Sequence, residues 1–477
     1  MINRDIKDSL IYHESLEDEK NLDFEYKSKK FIHDIDNVYF SLSIQNDSKD
    51  NEDIKQMIDD LKSKKEIAKA TNKDCQLLGF TDLYITIKSF SIYTVCITCP
   101  DRYDIFIAEY LPNENTPRIL VQIRSMPLWL EGYRKIIKEV MDKVKLFLDY
   151  FYKLSCVNMK ETRIDYAFHT NYIQNSLKYL GDEYLMENLN FNGLYSKVGQ
   201  FNKSHGDCTM SIDYLSLGSR KANNVFFRIY NKSREVIEKG YKSFFIDIWE
   251  EKKMISNFDS WCYRYAYVKK SYGSLQEARL KYYIEFGNDL DLKIKLHNMI
   301  ENRVPYKEME LIANGIVPKV NLIFNIEFET KRKFYRTCDD FISMLDGSEL
   351  RVVKLLDNRK FFIDYLTSYF VWFGEYYDEE KHFVDWWKRL RRVKFNGDTK
   401  KLVRDYSTDV NKERIINGVL RSLASLAVIE DVKAFDIDTD LDTFMNNIND
   451  NHKSNYIDIK EKKHIYYQNK QKNRPKS

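Results

Sequence analysis

"TRIDYAFH", residues 162–169, alternates along its whole length. Ile164, Tyr166 and Phe168 fall on one side of an extended chain, and Arg163, Asp165, Ala167 and His169 on the other. Period two with one apolar side marks a strand that covers a core with that side alone. Two further segments repeat the pattern. In "VFFRIYNK" (225–232) Val225, Phe227 and Ile229 oppose Arg228, Tyr230 and Lys232. In "LIFNIEFE" (322–329) Leu322, Phe324, Ile326 and Phe328 oppose Asn325, Glu327 and Glu329. One-sided strands of this kind belong to antiparallel sheets, because parallel sheets are buried on both faces.

Working outward, "IDNVYFSLSI" (35–44), "YTVCITC" (93–99), "YDIFIAEY" (103–110), "RILVQIRS" (118–125) and "SIDYLSL" (211–217) also read as strands. Between them, Leu130, Tyr133, Ile137, Val140, Met141, Val144, Phe147, Leu148 and Phe151 recur at helical spacing, with Pro127 just before the start. "SIDYLSL" and "VFFRIYNK", joined by a Gly-Ser-containing turn, predict a hairpin. Residues 240–315 read as an inserted helical block, residues from 334 onward as helical, and residues past 445 as polar and disordered. The expected architecture is α+β, a largely antiparallel sheet with helices on one face. The expected divisions are an extension (1–30), a sheet domain with its insertion (31–346), a helical C-terminal region (347–445) and a polar basic tail (446–477).

The chain has 477 residues, enough for two or three domains, and 76 basic against 73 acidic side chains, a net charge of +3. That excess is too small to argue for nucleic acid, so local clusters must carry the point. Seven cysteines are scattered singly except for Cys96 and Cys99, which a strand turns to opposite faces. With no second pair, buried reduced thiols are expected rather than a zinc site. The first residues have no secretory-signal pattern and no apolar run approaches the roughly 20 residues of a membrane span, so a cytoplasmic, non-membrane protein is expected. No glycine-rich phosphate loop is present, which argues against a nucleotide-driven motor.

If the polar sides of the three strands share one sheet face, Asp165, His169, Glu327, Glu329, Arg228, Tyr230 and Lys232 gather there. Carboxylates with an imidazole suit a divalent metal. A tyrosine beside cations that hold phosphate has the components of phosphoryl transfer through a covalent tyrosine. The same alternation also describes an ordinary amphipathic sheet with a solvated side, and most strand tyrosines are packed.

In these strands the chain resembles the Rep_trans family, the rolling-circle replication initiators of small Gram-positive plasmids and their relatives among conjugative-element relaxases. "TRIDYAFH" (162–169), "FFRIYNKSRE" (226–235) and "NIEFETKR" (325–332) are similar, in the same order, to the family's "TRLDLAFD", "FIRIYNKKQE" and "VEIELKR" strands. The resemblance implies a degenerate HUH-like nicking fold. It implies Tyr230 as the nucleophile and Asp165 and Glu327 at a site for Mg²⁺ or Mn²⁺, to which the polar-side reading adds His169 and Glu329 as ligands and Arg228 and Lys232 as cations assisting the phenol. The second acid of the family's first strand is His169 here. None of the eight histidines forms a His-hydrophobe-His pair, which fits a site built from acids.

The function implied is nicking of one DNA strand at a plasmid origin, leaving a 5′-phosphotyrosine and a free 3′ hydroxyl for a host polymerase, with a host helicase and a homodimeric state as further expectations. The alternatives are a relaxase of a mobile element and a non-catalytic DNA-binding protein that keeps the scaffold. Cations near the phenol are expected to favour its ionised form. For DNA contact, "WWKRLRRVKF" (386–395) interleaves Lys388, Arg389, Arg391, Arg392 and Lys394 with aromatics. The segment from Lys460 carries seven Lys or Arg against one Glu.

Overall fold

The computed structural model describes residues 10–11, 29–48, 50–111, 116–174, 176–191, 208–211, 213–221, 223–240, 242–335, 351–377 and 380–392, with isolated positions beyond. The chain divides into two compact units, Met1–Val403 and Arg404–Ser477. The sheet and the helices packed on it belong to the first unit. The polar tail and Lys394 lie outside the continuously described residues.

The strands, in chain order, are β1 (Leu10–Ile11), β2 (Phe31–Ile44), β3 (Cys75–Gln76), β4 (Tyr84–Thr86), β5 (Tyr93–Cys99), β6 (Tyr103–Ala108), β7 (Ile119–Ile123), β8 (Cys156–Thr170), β9 (Leu189–Phe191), β10 (Cys208–Ser211), β11 (Tyr214–Leu217), β12 (Val225–Asn231), β13 (Phe324–Lys331), β14 (Val371–Tyr377) and β15 (Glu380–Phe383). Twelve of them form one sheet in the order β10-β11-β12-β13-β8-β2-β7-β6-β5-β4-β3, with β1 on β2. Every described pairing in it is antiparallel. The three alternating segments are therefore neighbours, β12-β13-β8, although a helical block separates the first two in sequence.

The apolar side of the sheet carries the main core. Ile164, Tyr166 and Phe168 of β8, Phe227 and Ile229 of β12 and Ile326 and Phe328 of β13 are buried there. They pack under α1 (Glu52–Thr71), α3 (Tyr133–Tyr152) and two later helices, Arg351–Asp357 and Arg359–Tyr365. Asn51 caps α1 by accepting from the Asp53 and Ile54 amides. In α3 the buried Ile136, Ile137, Val140, Met141, Val144, Phe147 and Leu148 form the stripe legible in the sequence. Each such side chain contributes roughly 1.5–3 kcal/mol when fully buried.

Four expectations change. The helix expected from residue 128 is two helices, α2 (Ser125–Glu131) and α3, broken at Gly132, whose φ of 86° and ψ of 149° lie where side-chain-bearing residues are strained. Gly132→Ala, which meets nothing within 4 Å, is expected to cost about 1–3 kcal/mol through backbone strain alone, read as a lower midpoint in urea unfolding. The first long strand begins at Phe31, not at residue 35. The C-terminal part of this unit is not all helical: β14 pairs with β9 and β15, and Val352, Leu356, Phe362 and Trp387 share the main core.

Helices also occupy both sides of the sheet rather than one. After the short α4 (Ser176–Leu180) and α5 (Asp182–Asn188), the insertion runs as α6 (Lys232–Lys239), α7 (Phe244–Glu251), α8 (Asn257–Val268), α9 (Ser274–Phe286), α10 (Leu290–Glu301) and α11 (Tyr306–Ala313). Val236, Ile237, Phe245, Ile246, Trp249 and Tyr263 from this block, with Trp129 of α2, bury Ile32 and Ala167 on the polar side. Alternation could not show this, since two apolar positions among polar ones look like interruptions. Packed together, they are the patch on which an amphipathic block lands. Among the described residues no helix is long and apolar enough to cross a membrane.

Candidate active site around Tyr230

The register brings the polar positions of three strands side by side. Arg228 stands opposite Glu327 and Tyr230 opposite Asn325 across β12 and β13, while Glu329 faces Asp165 and Asn325 faces His169 across β13 and β8. Tyr230 is 8 % exposed. Its phenol oxygen accepts from Asn325 Nδ2 at 2.9 Å and from Lys232 Nζ at 3.3 Å. It can donate to Glu327 Oε2 at 3.2 Å or to Glu235 Oε2 at 3.4 Å. Asn325 Nδ2 also donates to Glu327 Oε2 at 3.1 Å, tying the carboxylate to the phenol. The Arg228 guanidinium lies 4.8 Å from the Tyr230 ring centroid and bonds Glu327 Oε1 at 2.5 Å.

Lys232 is not a strand residue. β12 ends at Asn231, whose side chain accepts from the Arg234 amide and starts α6, so Lys232 is the first helical residue. Its side chain is wholly buried, with the ammonium 2.8 Å from Glu235, 3.7 Å from Asp36 and 4.6 Å from the Phe245 ring centroid. Burial works to strip its proton, but Asp36 and Glu235 outweigh it and hold its pKa well above the usual lysine value. Burial likewise opposes ionisation of Glu235, yet Lys232 and Lys242 keep its carboxyl well below the ordinary range. At Tyr230 burial wins. It raises the phenol well above its usual value although Lys232 and Arg228 pull the other way, so the expectation that cations would favour the phenolate fails in this closed arrangement.

The remaining acids are buried and paired with arginines. Arg163 grips Asp165 through Nε at 2.7 Å and Nη2 at 2.6 Å, and reaches Glu329 at 2.9 Å. Arg220, from the β11–β12 turn, meets Glu329 at 3.1 Å. Asn37 Nδ2 donates to Asp165 at 3.1 Å. Burial, with Glu327 and Glu329 nearby, raises the Asp165 carboxyl to about 7 against the pull of Arg163.

His169 shares the face but is walled off from these acids. Its ring stacks on Trp129 with centroids 4.5 Å apart, meets Phe245 edge-on, and accepts the Trp249 Nε1–H on Nδ1 at 3.1 Å. Burial and Lys232 push its pKa well below the usual value, so it is a neutral core residue. Trp249→Phe removes the donor and leaves a buried ring nitrogen unpaired, for an expected loss of about 1–3 kcal/mol. Urea unfolding of the purified variant measures it.

The four expected metal ligands do not converge. Among the described residues the one group of three whose ligand atoms lie within 4.8 Å of one another is Asp82, Cys99 and Glu139. There the Lys143 ammonium already bonds both carboxylates, and Arg102 bonds Glu139. Asp165, Glu327, Glu329 and His169 thus do not fit a divalent metal as they stand.

The basic segment at 386–392 is not on this face. Trp386 and Trp387 are core residues, and Trp387 packs 6.4 Å from Phe227, on the apolar side of β12. Arg389 donates to the Tyr172 hydroxyl at 3.0 Å, Arg391 is half-buried over Phe383, Lys388 lies near Asp385, and Arg392 is exposed at the helix end.

Three residues escaped the sequence reading: Asp36, Glu235 and Asn325 as partners of Lys232 and Tyr230. Asp36 is the extra residue of a β-bulge, since Ile35 pairs with Tyr166 and Asn37 with Asp165. Its signal is the break in alternation in "IDNV", where the core-facing Ile35 and Val38 stand three apart. No protein family model and no curated protein matches the chain.

Proposed function

We propose that this chain nicks and rejoins one strand of DNA through Tyr230, as an initiator of rolling-circle replication at a plasmid origin. The observation that carries the reading is the convergence on Tyr230. Three segments distant in sequence lie as adjacent strands, and the phenol oxygen they present has an amide donor, an ammonium and a carboxylate within hydrogen-bonding reach. The arrangement is compatible with an HUH-like nicking fold.

In the proposed reaction the Tyr230 oxygen attacks a backbone phosphorus. Its proton passes to Glu327 Oε2, a P–O bond forms to tyrosine, and the P–O3′ bond breaks, the leaving 3′ oxygen taking a proton from water. In the rejoining step tyrosine is the leaving group, and the Asn325 N–H and the Lys232 ammonium stabilise the phenolate as it departs. The bond energy stays in the phosphotyrosine, so no nucleotide is consumed. A mobile-element relaxase would use the same residues.

A second reading, a DNA-binding protein without catalysis, is favoured by one observation. Tyr230 is nearly closed off, with its ring under Arg228. Purified protein incubated with a supercoiled plasmid carrying its own origin region separates the two. Nicked circles bearing protein attached at Tyr230, located by peptide mass spectrometry, support the first. Tight binding with no nick under any condition supports the second.

A further inference from the structure

We infer that Arg163, Arg220 and Arg228 do on the acidic face what a divalent cation would do, so that a DNA phosphodiester is held there by guanidiniums. This rests on the Tyr230 reading. Three buried carboxylates, Asp165, Glu327 and Glu329, face three guanidiniums, and each acid is bonded by at least one of them. Every guanidinium is also seated on an aromatic face: Arg163 over Tyr39 at 5.2 Å, Arg220 over Phe226 at 5.2 Å and Arg228 over Tyr230 at 4.8 Å. A cation held on one side by a carboxylate and below by a ring is fixed in orientation.

A divalent ion needs several oxygens converging at roughly 2.0–2.6 Å from one point. Here Asp165 and Glu329 both turn to Arg163 while Glu327 turns to Arg228, no three of these ligand atoms lie within 4.8 Å of one another, and the imidazole that could join them is sealed between Trp129 and Phe245. Seating a dication would mean expelling guanidiniums that already balance the charge. The arginines keep donors for a substrate: the buried Arg228 Nε has no hydrogen-bond partner among the described residues, and Arg220 is about half exposed. Planar, multiply donating cations match phosphodiester oxygens.

Mn²⁺ binding to the full chain without DNA, followed by electron paramagnetic resonance, tests this. Wild type and the Asp165→Asn/Glu327→Gln double variant are expected to bind the same amount of Mn²⁺. Arg163→Ala, which leaves Asp165 without its cation and Glu329 with Arg220 alone, is expected to gain one Mn²⁺ per chain that adding Asp165→Asn removes. Arg163→Lys is expected to gain none. A Mn²⁺ bound by wild type and lost in the double variant overturns the inference, as does a folded Arg163→Ala that gains none. If Arg163→Ala does not fold, the comparison of wild type with the double variant decides alone. In nicking assays, adduct formation in EDTA is expected to persist. Adduct that forms only with added metal overturns the inference and leaves the Tyr230 reading standing, whereas absence of adduct in every condition overturns that reading, with the Mn²⁺ comparison still judging this one.

Discussion

Tyr230→Phe is expected to abolish strand nicking and the covalent protein–DNA adduct, a loss of about 10⁴-fold or more, the scale on which removing a catalytic nucleophile acts. The substitution keeps the ring under the Arg228 guanidinium and the packing of β12. It deletes only the hydroxyl, leaving Asn325 Nδ2 with Glu327 and Lys232 with Glu235 and Asp36 as remaining partners. The cost to stability is therefore about 0.5–1.5 kcal/mol, the net worth of a hydrogen bond whose donors keep other partners. Binding to origin DNA should stay near wild type. Gel analysis of supercoiled plasmid reads nicking, and denaturing gels read the adduct. A Tyr230→Phe protein that nicks at the wild-type rate would sink the nucleophile assignment.

Lys232→Met is expected to be the most damaging single change to the fold at this site. Methionine fills a similar volume but leaves Asp36 and Glu235 buried without their shared cation. Removing one partner of a buried ion pair costs about 3–5 kcal/mol. Part of that loss should return in Lys232→Met/Asp36→Leu, because an apolar pair carries no uncompensated charge. The pH dependence follows from the shifts. Lys232 is raised, so its contribution is fully present below the unfolded lysine value and fades only as pH climbs through the folded one. Glu235 is depressed, so its contribution is present above the unfolded carboxyl value and is lost as pH falls through the folded one. The stability gap between wild type and Lys232→Met should therefore be flat from about pH 5 to 10 and shrink in acid. Urea unfolding across that range measures it, and a gap that widens in acid would rule out the ion-pair account.

The legible parts of the fold were those governed by short-range pattern. Alternation in "TRIDYAFH", "VFFRIYNK" and "LIFNIEFE" assigns each side chain to a face, and the strands keep that assignment. Helical period marks α3, and the opposite faces of Cys96 and Cys99 hold, each thiol sitting in a different core cluster. Less legible was anything that depends on what lands on a face. His169 alternates like a ligand, but the ring nitrogen belongs to Trp249, 80 positions away. Lys232 continues the strand pattern, yet the Asn231 cap turns the chain into a helix and buries its ammonium. The tryptophans of "WWKRLRRVKF" could have stacked on bases, and tertiary packing puts them in the core instead.

The amino-acid order by itself determined the strands, their apolar sides and the gathering of charged residues on the opposite sides, because local stereochemistry and the burial of apolar area act on every second residue wherever the chain goes. Tertiary structure alone decided which charges neutralise which. Arg163, Arg220 and Arg228 face Asp165, Glu327 and Glu329 through the register of three strands and a turn, and Asp36 meets Lys232 through one bulged residue. Electrostatic pairing depends on distance in space, on desolvation and on a one-residue register, and none of these is written in a local pattern.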